Sequence, residues 1–384
     1  MQSIEMGKLG DQTKRLLNKA FNLSILEKSR LAWVDYLKGL AIILVVYRHV
    51  MIGIGRSGVT IPPYIRNANE IFYSFRMALF FLLSGIFIQT SLAKRTIRQV
   101  FVIKLDNLLY PYFIWATLQI SLQIALSRYT NSDRTWIDYT YLFYQPRDLD
   151  QFWYLPALFN ASAFYLLLRS IGREGKGFVI ERPWLHLGIG LILYFTAPYV
   201  QAISMLSDWM SLYIFFALGD ILSKYFFEER VQRFLRRYWL LFALIPVFGL
   251  SQWYYITHTI SPALFLGIAL IGCLFLLVIA FRLQAWNSLS FLRILGYHSL
   301  YIYVMHVLVA AFTRMILMKI FGIHNVVILL LGGIAMGVTI PVIIYNLFIF
   351  EKPGWWLFSF RKSKRRAPGP PSAPAAPVTL QNQP

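Results

Sequence analysis

Residues 264–281 read "LFLGIALIGCLFLLVIAF", an apolar run of 18 residues without a charged side chain. A helix of that length is long enough to cross the hydrocarbon core of a bilayer. Similar runs recur along the chain, among them "ALFFLLSGIFI" at 78–88 and "VVILLLGGIAMGVTI" at 326–340. Their hydrophobicity is continuous and does not alternate, which excludes a membrane β-barrel. The sequence therefore predicts an all-α polytopic membrane protein.

The composition agrees with a membrane protein, since 58% of the 384 residues are hydrophobic and only 14% are charged. This is far more apolar surface than a single water-soluble core accounts for. The single cysteine, Cys273, lies inside a span and provides neither a disulfide framework nor a thiolate metal site. Segmentation by hydropathy predicts about ten transmembrane helices, near 34–55, 69–90, 106–126, 151–168, 184–200, 209–223, 238–254, 261–281, 295–317 and 326–349.

The net charge of +20 is distributed unevenly between the predicted loops. If the N-terminus is cytoplasmic, the inner segments hold 27 of the 37 Lys and Arg residues and the outer segments hold six. The positive-inside rule therefore predicts that both termini are cytoplasmic, and the bilayer accounts for the basic charge without a nucleic-acid partner. The predicted organisation is an amphipathic cytoplasmic segment at 1–30, a transmembrane domain at 31–350, and a basic, then Pro/Ala-rich disordered cytoplasmic tail at 351–384.

Charged residues inside the first predicted span are the main functional signal. In "WVDYLKGLAIILVVYRHV" at 33–50, Lys38 and His49 are eleven residues apart and so lie on one face of a helix, roughly 16 Å from each other. Such a stripe suits an anionic donor whose reactive end reaches His49, a general base or acyl carrier, beside Arg48. Alternatively, Asp35 and Lys38 snorkel at the interface while Arg48 and His49 are structural.

Other ionisable and aromatic side chains extend this hypothesis. His306 lies at a depth comparable to that of His49, so the two imidazoles could meet in one cavity, although a buried structural histidine is the alternative. The inner segment "KRTIRQVFVIK" at 94–104 could bind phosphates, or could reflect topology alone. The outer loop at 127–150, which leads into "QFWYLP", has residues that contact sugars but also fits an interfacial aromatic belt.

Four segments resemble the membrane-bound acyltransferase-3 family, and within it the sugar O-acetylases similar to fucose O-acetylases. The resemblance covers roughly 31–350. The segments are "DYLKGLAIILVVYRHV", which has the family's basic-x10-His signature, "FRMALFFLLSGIFI", "QFWYLPALF" and "LGYHSLYIYVMHV", which ends near His306. The family often has Arg-x-x-Arg-Leu before a proline, whereas "KLDNLLYP" at 104–111 has Lys104 and Asn107 at those places.

The resemblance implies an acetyl-coenzyme A co-substrate, no permanently bound cofactor, and a carbohydrate acceptor on a surface polysaccharide or its lipid-linked precursor. It also implies a bacterial cytoplasmic (inner) membrane location and a possible separate extracytoplasmic partner. Together with the residue pattern, the resemblance interprets His49, Arg48 and His306 as catalytic. The residues interpreted as substrate-binding are Lys38, Asp35, Arg76, Trp153 and Tyr303, and also Lys104, Arg95 and Arg98 of the basic segment, where Arg95 or Arg98 would replace the family's arginines. Direct transfer and an acyl-histidine intermediate both stay open. The alternative function is a secondary transporter of a small anionic or sugar-like solute.

Overall fold

The computed structural model describes residues 15–27, 31–127, 134–174 and 182–361, and these residues form helices and connecting segments without a β-strand. The prediction of an all-helical fold is therefore confirmed. The α-helices are α1 (Ala32–Arg56), α2 (Pro63–Ile71), α3 (Tyr73–Ile86), α4 (Ile88–Leu92), α5 (Ile97–Lys104), α6 (Tyr110–Ala125), α7 (Tyr141–Tyr144), α8 (Tyr154–Glu174), α9 (Pro183–Thr196), α10 (Ser204–Phe226), α11 (Glu229–Leu235), α12 (Tyr238–Thr257), α13 (Pro262–Trp286), α14 (Phe291–Tyr297), α15 (Ser299–Met315) and α16 (Val326–Ile344).

Eight helical stretches in the described part of the chain are long and apolar enough to cross a membrane. They are Ala32–Arg56, Pro63–Leu92, Pro183–Val200, Ser204–Phe226, Tyr238–Thr257, Pro262–Trp286, Ser299–Ile320 and Val326–Ile349. The protein is thus a multi-pass integral membrane protein.

The two other predicted spans, 106–126 and 151–168, are helical but do not belong to this set of eight. The helix at 106–126 continues through a π-helical turn at Leu105–Leu109 but is less apolar, since it contains Asn107, Gln119 and Gln123. Helix α8 has 21 residues but is less apolar, since it contains Asn160, Ser162 and Arg169. On which side of the membrane each terminus lies remains a prediction.

Helix α1 occupies the centre of the bundle and packs against α13, α14, α15 and α16. Its contact with α14 is a backbone contact. A Cβ atom on Gly296 would lie 1.8 Å from the carbonyl oxygen of Asp35, and one on Gly39 would lie 2.1 Å from that of Leu292. Because these two glycines have no side chain, the backbones of α14 and α1 approach each other closely. This contact fixes the position of the helical turn of α1 that contains the buried Asp35.

Two acids that fall within the predicted spans 106–126 and 209–223, Asp106 and Asp220, form structural contacts. Asp106 accepts hydrogen bonds from the Ser359 hydroxyl (2.8 Å) and from the Phe360 backbone N–H (2.9 Å), which attaches the C-terminal segment to the π-helical turn. Asp220 is 3% exposed and accepts hydrogen bonds from Gln89 (2.6 Å) and from the Tyr165 hydroxyl (2.8 Å). Because both carboxylates have protein donors, neither needs a ligand to account for its burial.

The predicted terminal segments are described only in part. Residues 15–21 are helical and precede a 3-10 turn at Leu23–Ile25, and the amide of Asn346 donates a hydrogen bond to the Ala20 carbonyl at 2.9 Å. The N-terminal segment is thereby attached to the end of the last span. The rest of the predicted segment 1–30, and residues 362–384 of the predicted tail, lie outside the described residues.

Candidate active site

A cavity of about 1170 Å³ lies between α1, α3, α6, α10, α15 and the segment that precedes α8. Its lining includes His49 in α1 and the exposed residues Arg56, Asp148 and His324 at one end of the bundle. We call this the distal end, and we call the end that holds Lys38, near the start of α1, the proximal end. The cavity is large enough for a sugar together with part of a second substrate.

His49 and His306 are neighbours where α1 packs against α15. The centroids of the two rings are 5.1 Å apart and the ring planes meet at 65°. Only His49 lines the cavity, whereas His306 is fully buried behind it. An imidazole that faces the cavity is therefore backed by one that does not.

Backbone contacts define the tautomer of His306. Its Nδ1 lies 3.0 Å from the carbonyl oxygen of Ile302 and 2.8 Å from that of Tyr303. Because carbonyl oxygens only accept hydrogen bonds, Nδ1 carries the hydrogen and Nε2 has a free lone pair. This Nε2 is buried and has no hydrogen-bond partner. A buried acceptor without a partner is costly in a structural histidine but is expected of one that receives a proton.

Two arginines lie beside this histidine pair and share one aromatic ring. The guanidinium carbon of Arg48 lies 4.7 Å from the centre of the Tyr73 ring, and that of Arg76 lies 5.6 Å from it. Arg76 is 3% exposed, and its Nη1 donates a hydrogen bond to the Leu44 carbonyl at 3.0 Å. Both arginines line the cavity, so their remaining N–H groups can meet an anion or an oxyanion there.

Trp153 and Tyr303 also line the cavity. The guanidinium of Arg147 stacks over Trp153 at 4.5 Å, and Arg147 Nε in turn binds Asp208. This arrangement presents an indole face and a cation side by side, as in sites that bind sugars or other flat polar groups. The hydroxyl of Tyr303 is buried next to the backbone N–H of Tyr154, which can donate to it, so its own hydrogen is an available donor.

A polar network that sequence reasoning missed attaches the outer loop to the spans. Asp150, at φ 56°, accepts hydrogen bonds from Arg56 (2.8 Å) and Gln119 (3.3 Å), and Gln151 donates to Gln119 at 2.9 Å. All four residues line the cavity. The contacts join residues that are far apart in sequence, and no local pattern indicated them. Only the polar and aromatic composition of the loop pointed to this region.

The other predicted substrate-binding residues lie outside the cavity lining. Lys38, Asp35 and Lys104 belong to the proximal part of the bundle, where burial and the neighbouring charge of Lys38 lower the pKa of Lys104 to about 8. Arg95 and Arg98 are exposed on the adjoining segment. The structure therefore divides the predicted site residues into a distal group at the cavity and a proximal basic group.

A protein-family model described as an acyltransferase domain matches residues 31–346. No curated protein and no solved structure matches the chain. The matched range contains every residue that lines the cavity, as well as the proximal basic group.

Proposed function

The chain belongs to the acyltransferase-3 family, and we propose that it transfers an acetyl group from acetyl-coenzyme A to a hydroxyl group of a carbohydrate. Family membership implies acyltransferase activity in a membrane. The finer proposal, an O-acetyltransferase, is supported by one observation above all: His49 lines a large cavity that also contains several charged side chains, and it is backed by His306, whose Nε2 has no partner.

In the proposed reaction, His49 accepts the proton of the acceptor hydroxyl while the hydroxyl oxygen attacks the thioester carbonyl. The new C–O bond forms, the C–S bond breaks, and the proton passes from His49 to the departing coenzyme A thiolate. His306 positions His49 and, through its Nε2 lone pair, can accept an N–H of the charged imidazole. Arg48 or Arg76 would stabilise the oxyanion. Attack on the thioester by His49 itself, followed by transfer to the hydroxyl, would use the same residues.

The two substrates would use the two groups of residues. We assign the phosphates of acetyl-coenzyme A to the proximal basic group, with Lys38 and Lys104 nearest to the spans and Arg95 and Arg98 at the surface. Lys38 and His49 are eleven residues apart on α1, roughly 16 Å along the helix, which an extended pantetheine arm can reach. Trp153, Tyr303 and the distal end of the cavity would bind the sugar. Asp35 would hold Lys38 in place.

The corresponding biological role is acetylation of a surface polysaccharide or its lipid-linked precursor at a bacterial cytoplasmic membrane. A separate extracytoplasmic protein could complete the transfer to the final polymer.

The experiment that tests this function compares membranes that contain His49→Ala with membranes that contain His258→Ala. His258 is an exposed histidine outside the cavity lining and serves as the matched control. With radiolabelled acetyl-coenzyme A and glycans extracted from native membranes, we expect label on the glycan for wild type and His258→Ala only. Label transfer by folded His49→Ala protein at the wild-type rate would overturn the proposal.

A further inference from the structure

The charged residues around the cavity are mainly cationic. Six cationic side chains and two carboxylates line it: Arg48, Arg56, Arg76, Arg147, Arg314, Lys319, Asp148 and Asp150. Among the ion pairs of the described residues, Arg56 pairs with Asp150 at 2.8 Å and Arg147 pairs with Asp208. Other cations of the lining lie at membrane depth.

Three arginines account for this charge at membrane depth, namely Arg48, Arg76 and Arg314, and each belongs to a membrane-spanning stretch. Among the described residues, no carboxylate lies within ion-pair distance of any of the three. Glu70, the carboxylate closest in sequence to Arg76, accepts a hydrogen bond from Asn69 and does not line the cavity. Charges at this depth are expensive and normally face a partner or a wet cavity.

Two of the three arginines lie beside His49, and the third lies further along the same cavity toward the distal end. Arg48 and Arg76 both contact the ring of Tyr73. Arg314 reaches α1 from α15, and its Nη1 lies only 2.2 Å from the place that a Cβ atom on residue 53 would occupy. Gly53 is four residues after His49 and therefore lies one turn further along the same face of the helix. The glycine leaves the space that Arg314 occupies.

We propose that the acceptor carries a negatively charged group, a phosphate or a carboxylate, which Arg314 binds together with one of Arg48 and Arg76. The other of these two arginines faces the oxyanion while a hydroxyl of the same molecule reaches His49. This inference rests on the proposed function only in identifying the occupant of the cavity as the acceptor. Guanidinium groups bind phosphate and carboxylate through paired, charge-assisted hydrogen bonds. Such a group would supply a counter-charge in direct contact, whereas Glu70 acts on Arg76 only from beyond ion-pair distance. Arg314 is a specificity-determining residue, and Gly53 positions it.

The phosphates of the acyl donor are the other possible source of an anion. Lys38, a member of the proximal basic group with Lys104, precedes His49 on α1 by eleven residues, whereas Gly53 follows His49 by four. The proximal group and Gly53 therefore lie in opposite directions from His49. The arginine cluster around His49 is thus available to the second substrate. An anion on the acceptor and the phosphates of the donor lead to different expected results for the same variants.

The test uses the purified full-length protein in detergent and measures binding of three probes by calorimetry: glucose 1-phosphate, glucuronate and neutral glucose. For wild type we expect at least tenfold tighter binding of the two charged sugars than of glucose. Arg314→Gln should remove most of this preference. Arg66→Gln should keep it, since Arg66 is an exposed arginine that does not line the cavity.

A second pair of variants controls for folding. Gly53→Ala should displace the flexible end of Arg314 and weaken binding of the charged sugars at least fivefold. In Gly55→Ala the new Cβ lies 3.6 Å from Ile61 Cγ1, an ordinary contact, so the preference should persist. Both changes improve helix propensity, and neither is expected to unfold α1.

Equal binding of charged and neutral sugars by wild type, or an unchanged preference in Arg314→Gln, would overturn the inference. A tenfold loss of coenzyme A affinity in Arg314→Gln with the charged-sugar preference intact would also overturn it, by assigning the cluster to the donor. If the charged-sugar preference depends on Arg314 but no acetyl transfer occurs, the anion site stands and the proposed function fails.

Discussion

The histidine pair leads to a prediction about how two substitutions combine. His306 has no access to the cavity and acts through His49, so its removal should cost only the interaction between the two rings. A hydrogen bond to a charged group contributes about 1.5–3 kcal/mol, which corresponds to a decrease of about 10- to 150-fold in rate. Loss of His49, the group that meets the hydroxyl, should cost about 10²- to 10⁴-fold. In the double variant the loss should equal that of His49→Ala alone.

The assay is acyl transfer from radiolabelled acetyl-coenzyme A at acceptor concentrations well below KM, with each variant normalised to folded protein. His298→Ala is the matched control, because His298 is also fully buried and its Nδ1 also bonds a helix carbonyl, that of Ile294, at 2.8 Å. It should lose stability but keep kcat/KM. The reasoning is refuted if the losses of His49→Ala and His306→Ala multiply in the double variant, or if His306→Ala is as active as wild type.

Three further predictions follow from single residues. The pKa of Lys104 is lowered to about 8, so the side chain loses its positive charge as the pH rises through that value. KM for acetyl-coenzyme A should therefore rise about three- to tenfold between pH 7 and pH 9. In Lys104→Arg the side chain stays charged over this range, so KM should not rise. Gly296→Ala should lower stability by about 1–3 kcal/mol in thermal unfolding, whereas Gly188→Ala, whose Cβ meets no atom within 4 Å, should not. Asp220→Asn should lower the unfolding temperature, because an amide nitrogen would face the donors that now bind the carboxylate, while KM values for both substrates stay at wild-type levels; a changed KM would count against a purely structural role.

Helical geometry explains which parts of the site the sequence could indicate. The spacing of Lys38 and His49 fixes their common face because α1 is a regular helix, and equal depth in the membrane points to His306 as the neighbour of His49. The first inference needs no knowledge of how distant segments are oriented. The second gave only a common depth, and the packing of α1 against α15 brings the two rings together.

The parts that the sequence could not indicate depend on contacts between distant segments. The approach of Arg314 to Gly53, and the network of Gln119, Asp150 and Gln151, join separate helices and loops and leave no local pattern. Likewise, composition alone does not show that Arg95 and Arg98 are exposed. Nor does it show that Lys104 lies close enough to Lys38 for the two charges to interact. The candidate spans number eight for a local reason, since polar side chains such as Gln119, Gln123 and Asn160 lower the mean hydropathy of the segments 106–126 and 151–168.

The central claim is that His49 mediates acyl transfer from coenzyme A to a carbohydrate hydroxyl. The most direct measurement follows radiolabelled acetyl-coenzyme A incubated with purified full-length wild type and His49→Ala, with glycans from native membranes as acceptor. We predict thioester loss and label on the glycan for wild type, and neither for a folded His49→Ala protein that still binds the donor. Equal label transfer by both proteins, or no donor binding by folded wild type, would contradict the account.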